Sequence, residues 1–340
     1  KKLIKKIKKK KKEGVLMSRD IDCLIGEIKS IVIESKNVYL ASHVQPDGDN
    51  IGSLLAFGMA LKQLNNNINI VKVDKIPKDL LFLPQVDIIT EQNNVEPIDV
   101  FISLDNSDID RLGSGKNLAL KANKFINIDH HISNTNFGDI NIVIPDASST
   151  GEIVYEIIRK MDLKIDRDIA TCLYVAISTD TGSFMYESTS SNTHLIAADL
   201  LNKDIDLNDI TVHLYQSSTL EKTNLFIKSL NTLDILMDGK IGVVEVTKEM
   251  LNECNAEMED SDGIVTFVRN IDGIEVACIL KEFSDNEIKV GLRSKKYIDV
   301  ADICFKFGGG GHKRAAGCTI YDDIDKAKAL ILEEIIKSFR

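Results

Sequence analysis

The stretch that decides the fold is NVYLASHVQPDGDNIGSLLAFGMALKQL, residues 37–64. Its opening apolar run, Asn37–Ser42, predicts a buried strand. Ile51–Leu64 carries apolar residues at helical spacing and predicts a helix. Between them lies a turn that contains proline and glycine. A strand that passes through a short turn into a helix is the repeating unit of an α/β fold with a parallel sheet.

The same alternation of strand and helix signals continues to about Leu201. Further near-continuous apolar runs are typical of strands that are buried on both faces. Ser149-Thr-Gly-Glu152 is a capping-box pattern followed by an apolar helical stripe. We therefore expect a parallel sheet covered by helices. The further predicted elements are strands at Ile68–Val73, Ile98–Leu104 and Lys124–Ile128, a helix after Ser149, and helices at Asp166–Ser178 and Asn192–Leu201.

A second, smaller α/β domain is expected after a junction that lies within Lys203–Leu220. The segment Lys203–Gln216 has no strand signal, and the length of 340 residues suggests two domains. We predict domain limits of 17–205 and 220–340, with a linker at 206–219. The elements predicted beyond it are a long helix Leu220–Leu236, strands Lys240–Val246, Gly273–Phe283, Glu287–Leu292 and Cys318–Tyr321, and helices at Asp262–Arg269, at Asp299–Phe305 and from Asp323.

The net charge of -10 is an average over two unlike parts. Residues 1–16 contain nine lysines and one glutamate, a local charge of +8 that leaves -18 for the rest. Such a basic run is typical of a disordered tail, and some tails of this kind bind nucleic acid. Because Met17 opens a more ordinary N-terminus, we expect residues 1–16 to be an extension that is foreign to the fold.

The composition is that of a soluble globular protein, with 44% apolar and 28% charged residues. No apolar stretch reaches the roughly 18–20 residues of a membrane span, so no membrane partner is expected. The six cysteines form no CxxC pair, which fits neither a structural zinc site nor a disulfide framework. Reduced thiols in the cytoplasm are the simplest account.

Titratable side chains gather where predicted strands end, which is where open α/β sheets bind ligands. His43, Asp47 and Asp49 follow the first strand, although Pro-Asp-Gly is also an ordinary turn signature. Asp105 closes the strand Ile98–Leu104, where an acid can equally be a turn residue. Asp129, His130 and His131 close the next strand, and packing alone does not explain two adjacent imidazoles there.

Asp180 lies at the end of a predicted helix, where it faces the negative end of the helix dipole. A nearby cation would remove that penalty, and a turn stabilised by the Asp side chain is the alternative. Two imidazoles and four carboxylates without thiolate favour Mn²⁺ or Mg²⁺. Six such ligands can hold two ions if one carboxylate bridges them, the usual arrangement for phosphate ester hydrolysis. The six are His43, Asp47, Asp49, Asp105, His130 and Asp180.

A glycine run, Gly308–Gly311, leads directly into His312, Lys313 and Arg314. Glycine loops can be flexible linkers. Exposed backbone N–H groups beside cations, however, form a cradle for phosphate, and we favour that interpretation. Arg293, at the end of a predicted strand, is a further candidate for a phosphate contact.

With SHVQPDGDNIGS, Asp105, Asp-His-His at 129–131, Asp180 and GGGGHKRAAG in this order, the sequence resembles the DHH–DHHA1 phosphoesterase superfamily. It is most similar to the short NrnA type, which combines oligoribonuclease and pAp phosphatase activity. The resemblance implies a parallel-sheet DHH domain, a smaller DHHA1 domain and an active site in the cleft between them. Its relatives with extra nucleic-acid-binding, transmembrane or sensory segments fit this chain less well.

The resemblance also implies roles for particular residues. His43, Asp47 and Asp105 would ligate one Mn²⁺, with Mg²⁺ or Co²⁺ as substitutes. Asp105 would bridge to a second ion. His131 would face the substrate phosphate, and Asp129 would orient a ligand imidazole. The remaining ligands of the second ion would be Asp49, His130 and Asp180, and the substrate's far end would be held by Arg293, Gly309, Gly310, Gly311, His312 and Arg314.

We therefore predict a Mn²⁺-dependent phosphoesterase in which a metal-bound hydroxide attacks short RNA oligonucleotides or pAp. Short substrates suit the acidic body, which would repel long polyanions. The alternative is a cyclic di-AMP or pApA phosphodiesterase of the same superfamily. More remote alternatives are a non-catalytic nucleotide sensor and an RNA-binding protein that uses its basic tail. A homodimer is expected from base rates.

Overall fold

The computed structural model describes residues 21–91 and 97–339, so the predicted extension 1–16 lies outside the described residues. The chain divides into two units with a boundary between Ser217 and Ser218. The predicted linker 206–219 contains a helix, Leu207–Tyr215, whose Ile210 is buried in the core of the first unit. Apolar residues spaced three and four apart along Leu207–Tyr215 account for this helix.

The first unit is built on six parallel strands in the order β3-β2-β1-β4-β5-β6. All four strands predicted from apolar runs are present. Two others were not predicted: β3 has only two residues, whereas β6 has four, the same length as β1 and β2. The strands are β1 (Val38–Ala41), β2 (Ile68–Val71), β3 (Ile89–Thr90), β4 (Val100–Leu104), β5 (Lys124–Asp129) and β6 (Ile140–Val143).

Both faces of this sheet are buried. Successive side chains of a strand point to opposite faces, so each strand contributes to both cores. Val38 and Leu40 point into the larger core, whereas Tyr39 and Ala41 point into a smaller core on the other face. Helices pack over the larger core. They are α1 (residues 21–34), α2 (Gly48–Leu61), α4 (Thr150–Lys160), α5 (Arg167–Asp180), α6 (Ser191–Leu201) and α7 (Leu207–Tyr215), and the short α3 (Lys116–Ala119) lies between β4 and β5.

Side-chain caps set the ends of the helices near the carboxyl edge of the sheet. Helix α2 begins at Gly48, three residues before the predicted start, because the Asp47 carboxylate accepts a hydrogen bond from Asn50 N. Ser149 caps α4 as predicted. Glu152 does not complete the predicted capping box, because its carboxylate accepts from Ser148 and Thr193 instead.

The second unit contains a mixed sheet in the order β11-β12-β10-β9-β8-β7. Strands β8 and β9 run parallel and their neighbours antiparallel. The strands are β7 (Asp234–Leu236), β8 (Ile241–Val246), β9 (Val276–Ser284), β10 (Glu287–Ser294), β11 (Gly310–His312) and β12 (Ala315–Ile320), and the helices are α8 (Leu220–Leu230), α9 (Lys248–Cys254), α10 (Ile264–Asn270), α11 (Val300–Phe305) and α12 (Ile324–Lys337).

Two predictions for the second unit are wrong. The predicted helix Leu220–Leu236 ends at Leu230, because the residues after Asn231 turn back to pair with β8 as an antiparallel strand. The glycine run, interpreted from the sequence as a loop, is instead part of a hairpin, with Gly310–His312 paired to a strand that begins at Ala315, three residues before the predicted start at Cys318.

Candidate active site

The sequence-predicted ligands converge at the carboxyl edge of the parallel sheet. His43 follows β1, Asp105 follows β4, and His130 and His131 follow β5. The ligand atoms of His43, Asp47 and Asp105 lie within 4.8 Å of one another. A second group with the same property contains Asp49, His130 and Asp180, and a third contains Asp105, His130 and His131.

Asp105 connects these groups. Its Oδ2 lies 3.2 Å from His43 Nε2, whereas its Oδ1 lies 3.8 Å from His130 Nε2 and 3.6 Å from His131 Nδ1. The two carboxylate oxygens thus face different imidazoles. This is the arrangement that a bridging carboxylate requires.

The backbone at Asp105 is strained, with a φ of 59°. Few residues other than glycine adopt this left-handed conformation, and strain of this kind is concentrated at functional sites. The Asp105 N–H donates to Ile128 O at 3.0 Å, and Thr150 Oγ1 donates to Asp105 Oδ1 at 3.0 Å. These contacts hold the carboxylate where β4 ends.

Asp49 is held by the amino end of helix α4. Its carboxylate accepts hydrogen bonds from Thr150 N at 2.7 Å, Gly151 N at 2.8 Å and Ser53 Oγ at 2.9 Å. A Cβ at Gly151 would lie 2.6 Å from Ala176 Cβ, so glycine at this position allows α4 to lie close to α5. The helix dipole and three donors favour a charged carboxylate at this position.

The imidazole of His130 faces three carboxylates. Its Nε2 lies 3.4 Å from Asp180 Oδ2, 3.9 Å from Asp49 Oδ2 and 3.8 Å from Asp105 Oδ1. His43 is oriented similarly, because its Nδ1 donates to Val44 O at 2.7 Å and its Nε2 points to Asp105. In both rings Nε2 is therefore the nitrogen directed into the cluster.

Asp129 holds His131 rather than a predicted metal ligand. His131 Nδ1 donates to Asp129 Oδ1 at 2.7 Å, and Asn134 Nδ2 donates to Asp129 Oδ2 at 2.5 Å. Asp129 is fully buried. Asp129 was expected to orient a ligand imidazole. In the structure it orients His131, the histidine expected to face the substrate.

Burial and mutual repulsion dominate the electrostatics. Burial, together with the charge of Asp180, raises the pKa of Asp49 to about 7. Burial likewise raises the pKa of Asp180 to about 6 and that of Asp105 well above its ordinary value. Burial lowers the pKa of His43. The site therefore crowds negative charge into a region where water cannot screen it.

The pKa values of His130 and His131 are raised, whereas that of His43 is lowered. Burial tends to lower the pKa of His130, but the charges of Asp49, Asp180 and Asp105 outweigh it and raise that pKa. Burial also tends to lower the pKa of His131, but its hydrogen bond to Asp129 raises it. Although burial opposes it, the same hydrogen bond lowers the pKa of Asp129. The hydrogen bond between His131 and Asp129 thus favours the charged form of both groups.

The chemistry of the donor set fits divalent metal ions. Buried carboxylates are costly unless they are paired or coordinate a metal. Here the donors are carboxylate oxygens and imidazole nitrogens without a thiolate, and both kinds of atom bind divalent metal ions in proteins. The clusters of Asp49, His130 and Asp180 and of His43, Asp47 and Asp105 can each hold one ion.

In the second unit, the predicted substrate residues lie along the β11–β12 hairpin and at the end of β10. Gly309 has no room for a side chain, because a Cβ would lie 2.2 Å from Gly317 O, and Gly311 has a φ of 143°. His312 is exposed. Arg293 donates to Leu292 O at 3.1 Å. Arg314 donates to the carbonyl oxygens of Lys296 and Ile298, a structural task that the sequence did not indicate.

Three residues that support the cluster are not apparent from the sequence. Thr150 contacts both Asp49 and Asp105, Asn134 contacts Asp129, and Ser53 contacts Asp49. Thr150 and Ser53 lie inside stretches that were noticed only as a helix cap and as part of the first motif. The available signal was polarity at the amino end of a helix that packs against the cluster.

Two family models match the chain. The DHH family N-terminal domain covers residues 37–177, and the DHHA1 domain covers residues 239–339. The bifunctional oligoribonuclease and PAP phosphatase NrnA of Thermus thermophilus is 32% identical over 301 residues, which is 88% of this chain and 89% of that protein. The chain belongs to the DHH–DHHA1 family.

Two other proteins are similar to this DHH–DHHA1 chain over most of its length. NrnA of Bacillus subtilis is 27% identical and covers 86% of this chain and 92% of that protein. The crystal structure of an exopolyphosphatase-related protein from Bacteroides fragilis has a TM-score of 0.86 at 27% identity, covering 93% of this chain and 96% of that one. The predicted enzyme class, a phosphoric ester hydrolase, is confirmed by these family relationships.

In the described part of this DHH–DHHA1 chain, no helix is both long and apolar enough to cross a membrane.

Proposed function

We propose that this protein hydrolyses short RNA oligonucleotides to mononucleotides and converts adenosine 3′,5′-bisphosphate (pAp) to AMP and phosphate. The observation that carries the proposal is the pair of ligand clusters joined through Asp105. The substrates are those for which the Thermus thermophilus and Bacillus subtilis relatives are named.

The cluster would hold two ions of Mn²⁺, with Mg²⁺ or Co²⁺ as substitutes. His43, Asp47 and Asp105 would hold one ion, and Asp105 would be shared with a second site formed by the remaining ligands Asp49, His130 and Asp180. Bound there, two divalent ions would supply positive charge to the phosphoryl oxygens and lower the pKa of a water molecule.

The chain's own residues supply the rest of the chemistry. Asp129 keeps His131 oriented and raises its pKa, so His131 can donate a hydrogen bond or a proton to the substrate phosphate. Thr150 fixes Asp105 and Asp49 through its side chain and its N–H. Held in this way, the ligands need not rearrange when charge develops on the phosphate.

We assign catalysis to the domain predicted at 17–205 and substrate binding to the domain at 220–340. Arg293, His312 and the backbone of Gly309–Gly311 would contact the part of the substrate that does not react. A short substrate needs only local cations, whereas a long nucleic acid would meet the strongly acidic body of the chain. We place the reaction in the cytoplasm because all six cysteines are free thiols.

A substrate panel tests the proposal. The purified protein, loaded with Mn²⁺, is assayed on pAp, an RNA dinucleotide, pApA and cyclic di-AMP, with Asp180→Ala as the blank. Preferred turnover of pAp and the dinucleotide is the expected result. Preference for cyclic di-AMP or pApA would assign the protein to the alternative phosphodiesterase, and Mn²⁺ binding without hydrolysis of any of the four would indicate a nucleotide sensor.

A further inference from the structure

Glu152 is a buried acid beside the candidate active site, and the proposed function gives it no task. It lies in the first turn of α4 and is only 7% exposed. Its Oε2 accepts hydrogen bonds from the Ser148 hydroxyl at 2.5 Å, Ser148 N at 3.3 Å and the Thr193 hydroxyl at 2.9 Å, and its Oε1 accepts from Asn192 Nδ2 at 2.8 Å. A buried carboxylate needs such donors, and by binding them it fixes the segments to which they belong.

The turn before α4, which Glu152 holds through Ser148, orients the imidazole of His130. His130 Nδ1 donates to Ala147 O at 3.4 Å, and its Nε2 then faces the carboxylates. A histidine that binds a metal ion usually donates its other ring N–H to a carbonyl or carboxylate group, which sets the orientation of the ring. Ala147 O thus has the task that was expected of Asp129.

The same turn leads to the N–H groups that hold Asp49. Thr150 N and Gly151 N donate to the Asp49 carboxylate at 2.7 and 2.8 Å. Both residues follow Ser148 closely in the chain, so a displaced turn would draw these donors away from the carboxylate. The position of Ser148 therefore affects Asp49 as well as His130.

The other segment that Glu152 holds leads to Asp180. Asn192 and Thr193 lie in the first turn of α6. The loop between α5 and α6 joins this helix start to Asp180, the last residue of α5. Glu152 thus binds two segments at helix starts, and these segments hold or lead to all three members of one ligand cluster, Asp49, His130 and Asp180.

The other ligand cluster, which contains Asp47 and Asp105, is held by contacts of its own. Asp47 accepts a hydrogen bond from Asn50 N at 3.0 Å within the turn after β1. Asp105 N donates to Ile128 O on the neighbouring strand at 3.0 Å. These contacts do not depend on the turn before α4 or on the start of α6. Loss of Glu152 should therefore disturb this cluster less than the cluster of Asp49, His130 and Asp180.

We propose that Glu152 is the positioning residue of the metal site formed by Asp49, His130 and Asp180. It acts through the two segments that it binds and not as a ligand. Residues that orient metal ligands in this way typically contribute about ten- to a hundredfold to metal affinity or activity. The inference rests on the proposed function for the presence of two metal ions.

Glu152→Leu tests the role directly. Leucine has a similar size but accepts no hydrogen bond, so the donors on Ser148, Asn192 and Thr193 lose their acceptor. Binding of Mn²⁺ to the full chain is measured by the electron paramagnetic resonance signal of the free ion. The affinity for one of the two ions should fall about ten- to a hundredfold, and the affinity for the other should not change. For pAp, kcat should fall with KM unchanged.

Glu152→Gln separates hydrogen bonding from charge. The glutamine carbonyl can accept from Ser148 and Thr193, and the Asn192 amide can turn over to accept from the glutamine NH₂ group. This variant should restore most of the affinity that Glu152→Leu loses. Failure of glutamine to restore it would contradict positioning through hydrogen bonds.

The weakened ion is identified in chains that keep one complete ligand cluster. His43→Ala removes a ligand of the first cluster, and His130→Ala removes a ligand of the second. Adding Glu152→Leu to His43→Ala should lower the affinity for the remaining Mn²⁺ ion. Adding it to His130→Ala should have no effect.

Asp99→Ala is the matched control. Asp99 accepts hydrogen bonds from Lys36 N at 2.8 Å and Asn37 N at 3.1 Å, at the opposite edge of the same sheet. Its loss should lower the melting temperature and leave Mn²⁺ binding unchanged. Ser148→Ala is the milder second variant if Glu152→Leu does not fold; it removes one hydrogen bond and should weaken the same ion by a smaller factor.

Equal weakening of both ions in Glu152→Leu and Ser148→Ala, or no weakening of either, would overturn the inference. Two results for the wild-type chain separate it from the proposed function. A chain that binds two Mn²⁺ ions but hydrolyses none of the four substrates would overturn the proposed function alone. A chain that binds no Mn²⁺ would overturn both.

Discussion

The two units of this protein place charged groups in opposite ways. In the first, His43, Asp49 and Asp105 are buried at a sheet edge, and Asp105 is held there with strained backbone geometry. In the second, Glu275 is buried as well, but its carboxylate accepts hydrogen bonds from three successive backbone N–H groups, those of residues 296–298. The buried carboxylates at this sheet edge of the first unit therefore converge on one another, whereas the buried carboxylate of the second unit is satisfied by backbone donors.

The largest effect is expected at Asp105, the residue that both ligand clusters share. Asp105→Asn keeps the shape of the side chain and tolerates the left-handed backbone, but it removes the charge that two ions would share. We expect kcat for pAp to fall by at least about a thousandfold. A circular dichroism spectrum and a melting curve like those of wild type are the controls, and activity within tenfold of wild type would contradict the bridging role.

His131 comes next. His131→Ala removes the donor that we propose for the substrate phosphate, and we expect kcat to fall about a hundred- to ten-thousandfold. Asp129→Asn leaves the ring in place but weakens its orientation, so a smaller loss of about ten- to a hundredfold is expected. In the double variant the losses should not add, since both act through one ring. Additive losses would mean that Asp129 acts independently of His131.

A smaller and different effect is expected in the second unit. His312→Ala should raise KM for a dinucleotide about tenfold and leave kcat unchanged, since a residue that only holds substrate contributes equally to the bound substrate and the transition state. Steady-state kinetics with a dinucleotide measure both constants. A fall in kcat with KM unchanged would show that His312 acts in the transition state, which would contradict a role in substrate binding alone.

The smallest effect concerns stability. The folded pKa of Asp180 is raised to about 6, so ionisation of this group costs stability as pH rises from its unfolded pKa near 3.8 to about 6. Metal-free Asp180→Asn should therefore melt a few degrees above wild type at pH 7 and show no advantage below pH 4. Saturating Mn²⁺ should reverse the order. A constant difference across this pH range would contradict a buried, repelled carboxylate.

The two units also differ in how much of them the sequence could predict. Strands such as Val100–Leu104 can be predicted because they are continuous apolar runs, and residues that follow neighbouring parallel strands lie at one edge of the sheet. The left-handed backbone of Asp105 and its contact with Thr150 depend on packing between distant segments, so no local pattern predicts them. Likewise, Glu275 binds backbone N–H groups about twenty residues away. Every residue except proline has a backbone N–H group, so the sequence does not show which of them Glu275 binds.

We propose that two ions share Asp105. Titration of the metal-free protein with Mn²⁺, followed by electron paramagnetic resonance, tests this sharing. We predict two ions per chain with magnetic coupling between them in wild type, and no coupled pair in Asp105→Asn. A single ion per chain, or two ions without coupling, would contradict the account.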